Sequence, residues 1–189
     1  MENNWYVITG APSSGKTTII DLLKDKSCNV VHEMARIYLN KEMQKGKTLE
    51  EIRKNEVNFQ EKVLDLKIDY EKDLPKNEVI FFDRAIPDSY AYLKLHGVSD
   101  NSLLKKSLNN SHYKKVFLLD FLEYKKDYAR IETQEQQKQI HDLLRESYNK
   151  TNADIIEVPI MSPKERVEFI LSNLLIKMKK IHMQIVVLI

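Results

Sequence analysis

One run of eight residues near the N-terminus, Gly10-Ala11-Pro12-Ser13-Ser14-Gly15-Lys16-Thr17, restricts this 189-residue chain more than any other feature. It fits the pattern G-x-x-x-x-G-K-[ST] at each fixed position. The run follows Trp5 to Thr9, which reads as a short buried strand, and it opens Lys16 to Leu23, which has the apolar spacing of a helix. Strand, glycine loop and helix in that order form a phosphate cradle. The glycines let the backbone turn so that several N–H groups face inward at the positive end of a helix. Lys16 adds a point charge, and the Thr17 hydroxyl suits Mg²⁺, which prefers oxygen ligands in octahedral geometry. Gly10, Ser13, Ser14, Gly15, Lys16, Thr17 and Thr18 are therefore the expected nucleotide-binding set. The nucleotide is expected to be ATP, with GTP as the alternative, bound with Mg²⁺.

Asn29 to His32 reads as a second short strand, and continuous apolar runs recur at Val79 to Phe82, Val116 to Leu119 and Ile155 to Val158, as parallel strands buried on both faces require. Helical patterns lie between them. Glu33 to Gln44 forms one, and Thr48 to Lys72 reads as a single long helix starting at a capping box of Thr48 and Glu51. Thr133 to Asn149 forms another. The last helix starts at Ser162, with Pro163 in its first position and Glu165 closing a second capping box. Its Val167, Ile170, Leu171, Leu174, Leu175 and Met178 share one face. Strands separated by helices predict right-handed crossovers and an α/β, three-layer fold, with a parallel sheet of about five strands covered by helices on both faces. Ligands of such a sheet bind at the carboxyl ends of the strands.

The expected organisation is a single domain over residues 1–178, followed by an apolar tail over 179–189. The tail's longest apolar run, Ile185 to Ile189, is far short of the roughly 20 residues that a membrane-crossing helix needs. An added strand, a packed tail and an artefact of the gene's 3′ end all fit it. Lysine plus arginine number 30 against 28 acids, a net charge of +2, so no global field recruits nucleic acid or an anionic membrane. Lys177, Lys179 and Lys180 suit a helix end rather than DNA. The single cysteine, Cys28, excludes an internal disulfide, and no charged and apolar leader precedes the first strand, which together point to the cytoplasm. Cys28 itself reads as a small core residue.

Acidic residues at strand ends complete the chemistry. Phe81-Phe82-Asp83 ends an apolar strand with a carboxylate, the arrangement that aims an acid at the metal beside a phosphate loop, although a simple cap at a strand end has the same pattern. Arg84 reads as reaching the substrate or transferring phosphate, or as pairing with a surface acid. Glu33 follows the second strand and so falls at the same sheet edge, where a carboxylate can deprotonate an acceptor hydroxyl. Glu33 and Arg36 lie three residues apart on a helix, which also fits a plain surface ion pair. His32 reads as a packing residue at the strand end. The polar stretch Asp120 to Glu132 reads as a lid, the whole lid segment covering about 120–150, with Lys125, Lys126, Asp127 and Tyr128 in it and Arg130 as the arginine delivered to the transferring phosphate. The loop Val158 to Ser162 is placed to flank the base.

Taken together, Gly-x-x-Ser-Ser-Gly-Lys-Thr, Glu33-x-x-Arg36-x-Tyr38, Phe82-Asp83, Lys115-Val116-Phe117-Leu118-Leu119 and the lid arginine resemble a P-loop ATPase/kinase family. That family includes the nicotinamide riboside kinase domain of the bifunctional NAD-biosynthesis regulator. The resemblance runs from about Trp5 to Leu175 and implies a nucleoside-kinase-like P-loop NTPase fold and transfer of the ATP γ-phosphate to a small hydroxyl-bearing acceptor. It carries Gly10, Gly15, Lys16 and Thr17 over as phosphate and Mg²⁺ ligands, and Asp83 as the strand-end acid. Arg84 directly after Asp83 is more similar to deoxynucleoside and thymidylate kinases, where the arginine faces the acceptor. The expected catalytic residues are Lys16, Asp83, Glu33 and Arg130; the acceptor side is Glu33, Arg36 and Arg84; the metal ligands are Thr17 and Asp83. The alternative is a nucleotide-dependent switch or ATPase acting through a protein partner on the long Thr48 to Lys72 helix. A guanine-reading Asn/Thr-Lys-x-Asp segment would favour it, but the near match Asn40-Lys41-Glu42-Met43 lacks the final Asp.

Overall fold

A computed structural model describes residues 3–98, 101–109, 111–121 and 133–186, with backbone only for residue 134 and for 175–186. Five parallel strands form one sheet: β1 (Trp5–Thr9), β2 (Asn29–Val31), β3 (Ile80–Asp83), β4 (Lys115–Leu119) and β5 (Asp154–Val158), in the order β2-β3-β1-β4-β5. The α/β, three-layer reading is met. The chain reverses its direction of travel across the sheet after β2, and the later strands β3 and β4 come to flank β1 on its two sides, at the crevice where such folds bind ligands.

Alternation along β1 separates the two faces. Trp5 and Val7 pack with Phe59, Val63, Ile80 and Phe82, whereas Tyr6 and Ile8 pack with Ile19, Leu23, Phe81 and Phe117. The central strands β1, β3 and β4 are buried along their whole length, and the edge strands β2 and β5 are partly exposed, as their positions require. The second face is covered by α1 (Lys16–Asp25) and α8 (Pro163–Val186), the first by α2 (Met34–Gln44) and α4 (Glu56–Lys72).

The single helix expected over Thr48 to Lys72 is two. The Thr48 and Glu51 capping box forms, with Thr48 N donating to Glu51 Oε2 at 2.8 Å, but it opens only the short α3 (Leu49–Arg53). Asn55 is extended, and its side chain accepts from Asn58 N at 3.0 Å to begin α4 afresh. Buried Arg53 spans the junction, donating to both carboxylate oxygens of Glu56 at 2.6 and 2.8 Å. Two helices, α5 (Ile86–Leu95) and α6 (Ser102–Asn109), occupy a stretch in which the sequence signals only a helical start after Asp83.

The expected Ser162 and Glu165 box caps α8, and α7 (Gln134–Tyr148) starts where a helix was expected, capped by Thr133 and Gln136. Val167 and Ile170 of α8 are buried, and the backbone stays helical through Val186, so the tail adds no strand there. The side chains of Leu175 and Met178 lie outside the described residues. Cys28 is half-buried at the rim of the second core face, and His32 is exposed rather than packed. No described helix is long and apolar enough to cross a membrane.

One half-buried acid belongs to the fold rather than to the cleft. Glu71 of α4 accepts from the Tyr113 hydroxyl at 2.7 and 2.9 Å, and burial pushes its carboxyl up to about 7. A raised carboxyl favours folding while protonated, and that contribution is lost as pH rises from the unfolded value of 4.5 through about 7. Between pH 6 and pH 8 its share of the stability is expected to fall by about 1 kcal/mol. Urea unfolding of Glu71→Gln beside the parent chain at both pH values isolates it; equal pH slopes would show that Glu71 ionises normally.

Candidate active site

The glycine loop leaves β1 and runs into α1 with backbone angles that explain its residue types. Gly10 has φ +152°, and a Cβ there would lie 2.7 Å from Leu119 O and 2.8 Å from Ser14 Oγ. Gly15, with φ +84°, precedes the first turn of α1. Ser13 also has positive φ, +63°, a conformation that costs a side-chain-bearing residue energy and recurs at ligand clamps. The loop is held from behind by two side chains. Gln137 Nε2 donates to Pro12 O at 2.5 Å, and buried Arg166 donates to Ser14 O at 2.6 Å, to Asp120 O at 3.0 Å and to Pro159 O at 3.0 Å. Arg166 thereby ties the loop to the end of β4 and to the Val158 to Ser162 loop.

Lys16 is folded into the cradle. Its ammonium donates to Gly10 O at 2.8 Å, Ala11 O at 2.9 Å and Ser14 Oγ at 3.1 Å. Burial, and next the Arg84 charge, lower its pKa to about 7 against the opposing pull of Asp83, Glu33 and Asp88. An anion in the loop would restore the ammonium, so the arrangement would favour a bound phosphate. Thr17 and Thr18 are exposed at the start of α1, open to a bound ion or nucleotide.

Asp83 ends β3 in register with Ile8 of β1, and so stands beside the strand that feeds the loop. It is buried, and its Oδ1 has no hydrogen-bond partner. Burial, and next the Glu33 charge, raise its carboxyl to about 7. An unpaired oxygen on a crowded buried carboxyl is a poor structural element and a good metal ligand, so the residues present fit Mg²⁺. Asp83 and Thr17 would hold it, and the ion would neutralise charge on the nucleotide's outer phosphates.

Arg84, at φ +64°, is buried and turned toward two acids. Its Nε donates to Glu33 Oε1 at 2.9 Å, its Nη1 donates to Asp88 Oδ1 at 3.0 Å, and its guanidinium lies over the Tyr92 ring at 5.1 Å. Glu33, just before α2, therefore has a stronger partner than Arg36, whose Nε is 4.0 Å away. Burial works against the Glu33 charge, but Arg84, Lys16, Arg36 and Lys67 outweigh it and keep the carboxyl below its usual range. It is a carboxylate at neutral pH. The loop residues Ser13 to Thr18, together with Glu33, Arg36 and Arg84, line one cleft, whose far wall is α4 with Phe59, Gln60, Val63 and Lys67.

Several residues of this site do not stand out in the sequence. Asp88 is fully buried and accepts from Thr9 Oγ1 at 2.6 Å, Arg84 Nη1 and Ala85 N at 3.0 Å each, and the Tyr148 hydroxyl. Lys67 is buried and donates to Ala85 O at 2.9 Å and Ser89 Oγ at 3.2 Å. A usable signal existed for Lys67 and Gln60, since both share the core-facing helical spacing of Val63 and Leu64. Arg130, with Lys125, Lys126, Asp127 and Tyr128, lies outside the described residues.

A family model described as an AAA domain matches residues 5–166. The chain belongs to this family. Solved structures similar to this AAA-family chain are P-loop kinases in fold. A deoxyadenosine kinase from M. mycoides with bound dCTP is 16% identical with a TM-score of 0.64, over 90% of this chain and 98% of that one. A thymidylate kinase from Candida albicans is 19% identical with a TM-score of 0.58, over 94% and 93%. The NadR protein in complex with NR is 17% identical with a TM-score of 0.63, over 82% of this chain and 43% of that one, so the AAA-family chain spans less than half of the NadR chain. No curated protein sequence matches it.

Proposed function

We propose that this AAA-family domain is an ATP-dependent phosphotransferase that moves the γ-phosphate of Mg-ATP to the hydroxyl or phosphate oxygen of a small nucleoside-, nucleotide- or ribosyl-like acceptor. The observation that carries this reading is the single cleft in which the phosphate loop meets an ionised Glu33 and the guanidinium groups of Arg36 and Arg84. A domain that only holds a nucleotide has no use for a charged second compartment beside its phosphates. A kinase needs one, because catalysis of phosphoryl transfer is mainly positioning and charge stabilisation.

In this mechanism the loop N–H groups and Lys16 bind the β- and γ-phosphates. Mg²⁺, where bound, offsets their charge. Glu33 accepts the proton of an attacking hydroxyl, and Arg84, fixed by Asp88, orients the acceptor and holds Glu33 ionised. The α4 wall gives the acceptor an apolar contact in Phe59 and Val63 and a polar one in Gln60. Arg130 is proposed as the lid arginine that meets the transferring phosphate. GTP as donor is tested in the same assay.

The test is ADP release from Mg-ATP, and GDP release from Mg-GTP, over a panel of nucleosides, nucleoside monophosphates and ribosyl compounds. Acceptor-dependent turnover is expected, and Glu33→Gln is expected to lower kcat for a hydroxyl acceptor by about 10²–10⁴-fold with nucleotide affinity retained. Slow hydrolysis indifferent to every acceptor would overturn the kinase reading and favour an ATPase or switch acting on a protein partner.

A further inference from the structure

A second buried polar atom without a hydrogen-bond partner lies away from the cleft. It is Nδ1 of His141, on α7, in a side chain that is only 5% exposed. The other ring nitrogen, Nε2, faces Arg145 Nη2 at 3.4 Å. A guanidinium only donates, so with Arg145 in place Nε2 holds the lone pair and the Nδ1 proton has no acceptor; once Arg145 moves away the neutral ring can carry its proton on either nitrogen and offer the other to an ion. An enclosed imidazole in the first of these states is short of a bonding partner. Two carboxylates reach it: Asp120, directly after β4, and Glu157, within β5. One ligand atom from each of Asp120, His141 and Glu157 lies within 4.8 Å of the others.

We propose that Asp120, His141 and Glu157 form a binding site for a borderline divalent transition-metal ion, Zn²⁺ being the type case, that joins β4, β5 and α7 behind the phosphate loop. One imidazole and two carboxylates are a Zn²⁺ donor set; Mg²⁺ prefers oxygen alone and keeps its waters. Three protein ligands leave a position for water. The Phe121 ring packs on the imidazole at 5.4 Å and shields one side of it. The ion displaces Arg145 from Glu157, a 3.0 Å pair whose partners are 47% and 46% exposed and which therefore holds weakly. The consequence reaches the loop. Gln137, one turn before His141, donates to Pro12 O, and Arg166 joins Asp120 O to Ser14 O. An ion that fixes α7 against β4 braces the cradle from behind, whatever reaction the cleft performs.

The test uses the full chain, stripped with EDTA and kept in excess Mg²⁺, titrated with Zn²⁺ by calorimetry and with Co²⁺ by visible absorption. One ion per chain in the micromolar range is expected, with a Co²⁺ spectrum of low coordination number and a rise in Tm on Zn²⁺ addition. His141→Ala is expected to weaken binding by at least about 100-fold and Glu157→Gln by about 10-fold, while Arg145→Ala tightens it. Glu157→Gln, at a half-exposed edge position, keeps the test informative should His141→Ala fold poorly. Lys16→Met should leave the titration unchanged, which separates this site from the kinase reading. No saturable Zn²⁺ binding up to millimolar concentration would overturn the proposal. So would His141→Ala and Glu157→Gln binding as the parent chain does, which would assign the ion to another of the chain's five histidines.

Discussion

Replacing Asp88 by alanine is expected to destabilise the protein by about 3–5 kcal/mol, more than any other single change at the site. The carboxylate is fully buried and serves four donors from four parts of the fold: Thr9 at the end of β1, Arg84 after β3, the Ala85 N–H before α5 and the Tyr148 hydroxyl at the end of α7. Burial alone would raise its pKa, yet Arg84, Lys67 and the hydroxyl donors hold it below the usual carboxylate range, so it is ionised. Removing it strands a buried guanidinium and leaves three neutral donors unpaired. At about 2–4 °C per kcal/mol for a chain of this length, thermal unfolding should show Tm lower by about 10 °C. Asp88→Asn, which keeps an acceptor oxygen but loses the charge, should fall between the two. A Tm within 2 or so degrees of the parent for the alanine variant would mean that Arg84 is held by Glu33 alone.

Lys16→Met is expected to have the opposite profile. Phosphoryl transfer should fall by at least about 10²–10³-fold in kcat/KM, because the side chain is the one charge inside the cradle where the transition state gathers negative charge. The nucleotide-free protein should lose little stability. Its ammonium is buried and pushed down to about 7, so folding bears a desolvation cost that its bonds to Gly10 O and Ala11 O only partly offset. Methionine fills similar space without that cost. The paired measurement is Tm with and without Mg-ATP: the parent chain should gain stability from the nucleotide, and the variant should not. Retained activity within tenfold or so of the parent would remove Lys16 from the transfer step.

These two residues mark what could and could not be read in advance. Lys16 belongs to a contiguous motif whose geometry depends on backbone turns and helix polarity, both of which are local, so the strand, loop and helix around Gly10 to Thr17 were legible. Asp83 was legible for a related reason: it ends a four-residue apolar strand, and a strand buried on both faces delivers its last residue to the ligand edge. Asp88 sits two residues into a helix after an unremarkable Ala-Ile-Pro, and the sequence gives no sign that Thr9 and Tyr148, 79 and 60 positions away, converge on it.

The long helix expected over Thr48 to Lys72 failed at Asn55, where a local cap overrode an apolar periodicity that continues through the break. Glu33 was placed correctly at the sheet edge, but its partner was not: helical spacing favoured Arg36, whereas the strand order β2-β3-β1 brings Arg84 closer. By itself, then, the sequence determined the place and geometry of the glycine loop, the position of the strand-end acids and the α/β class, because each rests on periodicity, glycine geometry or capping within a few residues. Tertiary structure alone decided which charges meet. The Glu33–Arg84–Asp88 chain, the three carbonyls gathered by Arg166 and the Asp120–His141–Glu157 cluster join residues far apart in the chain, and only packing against the sheet sets those distances.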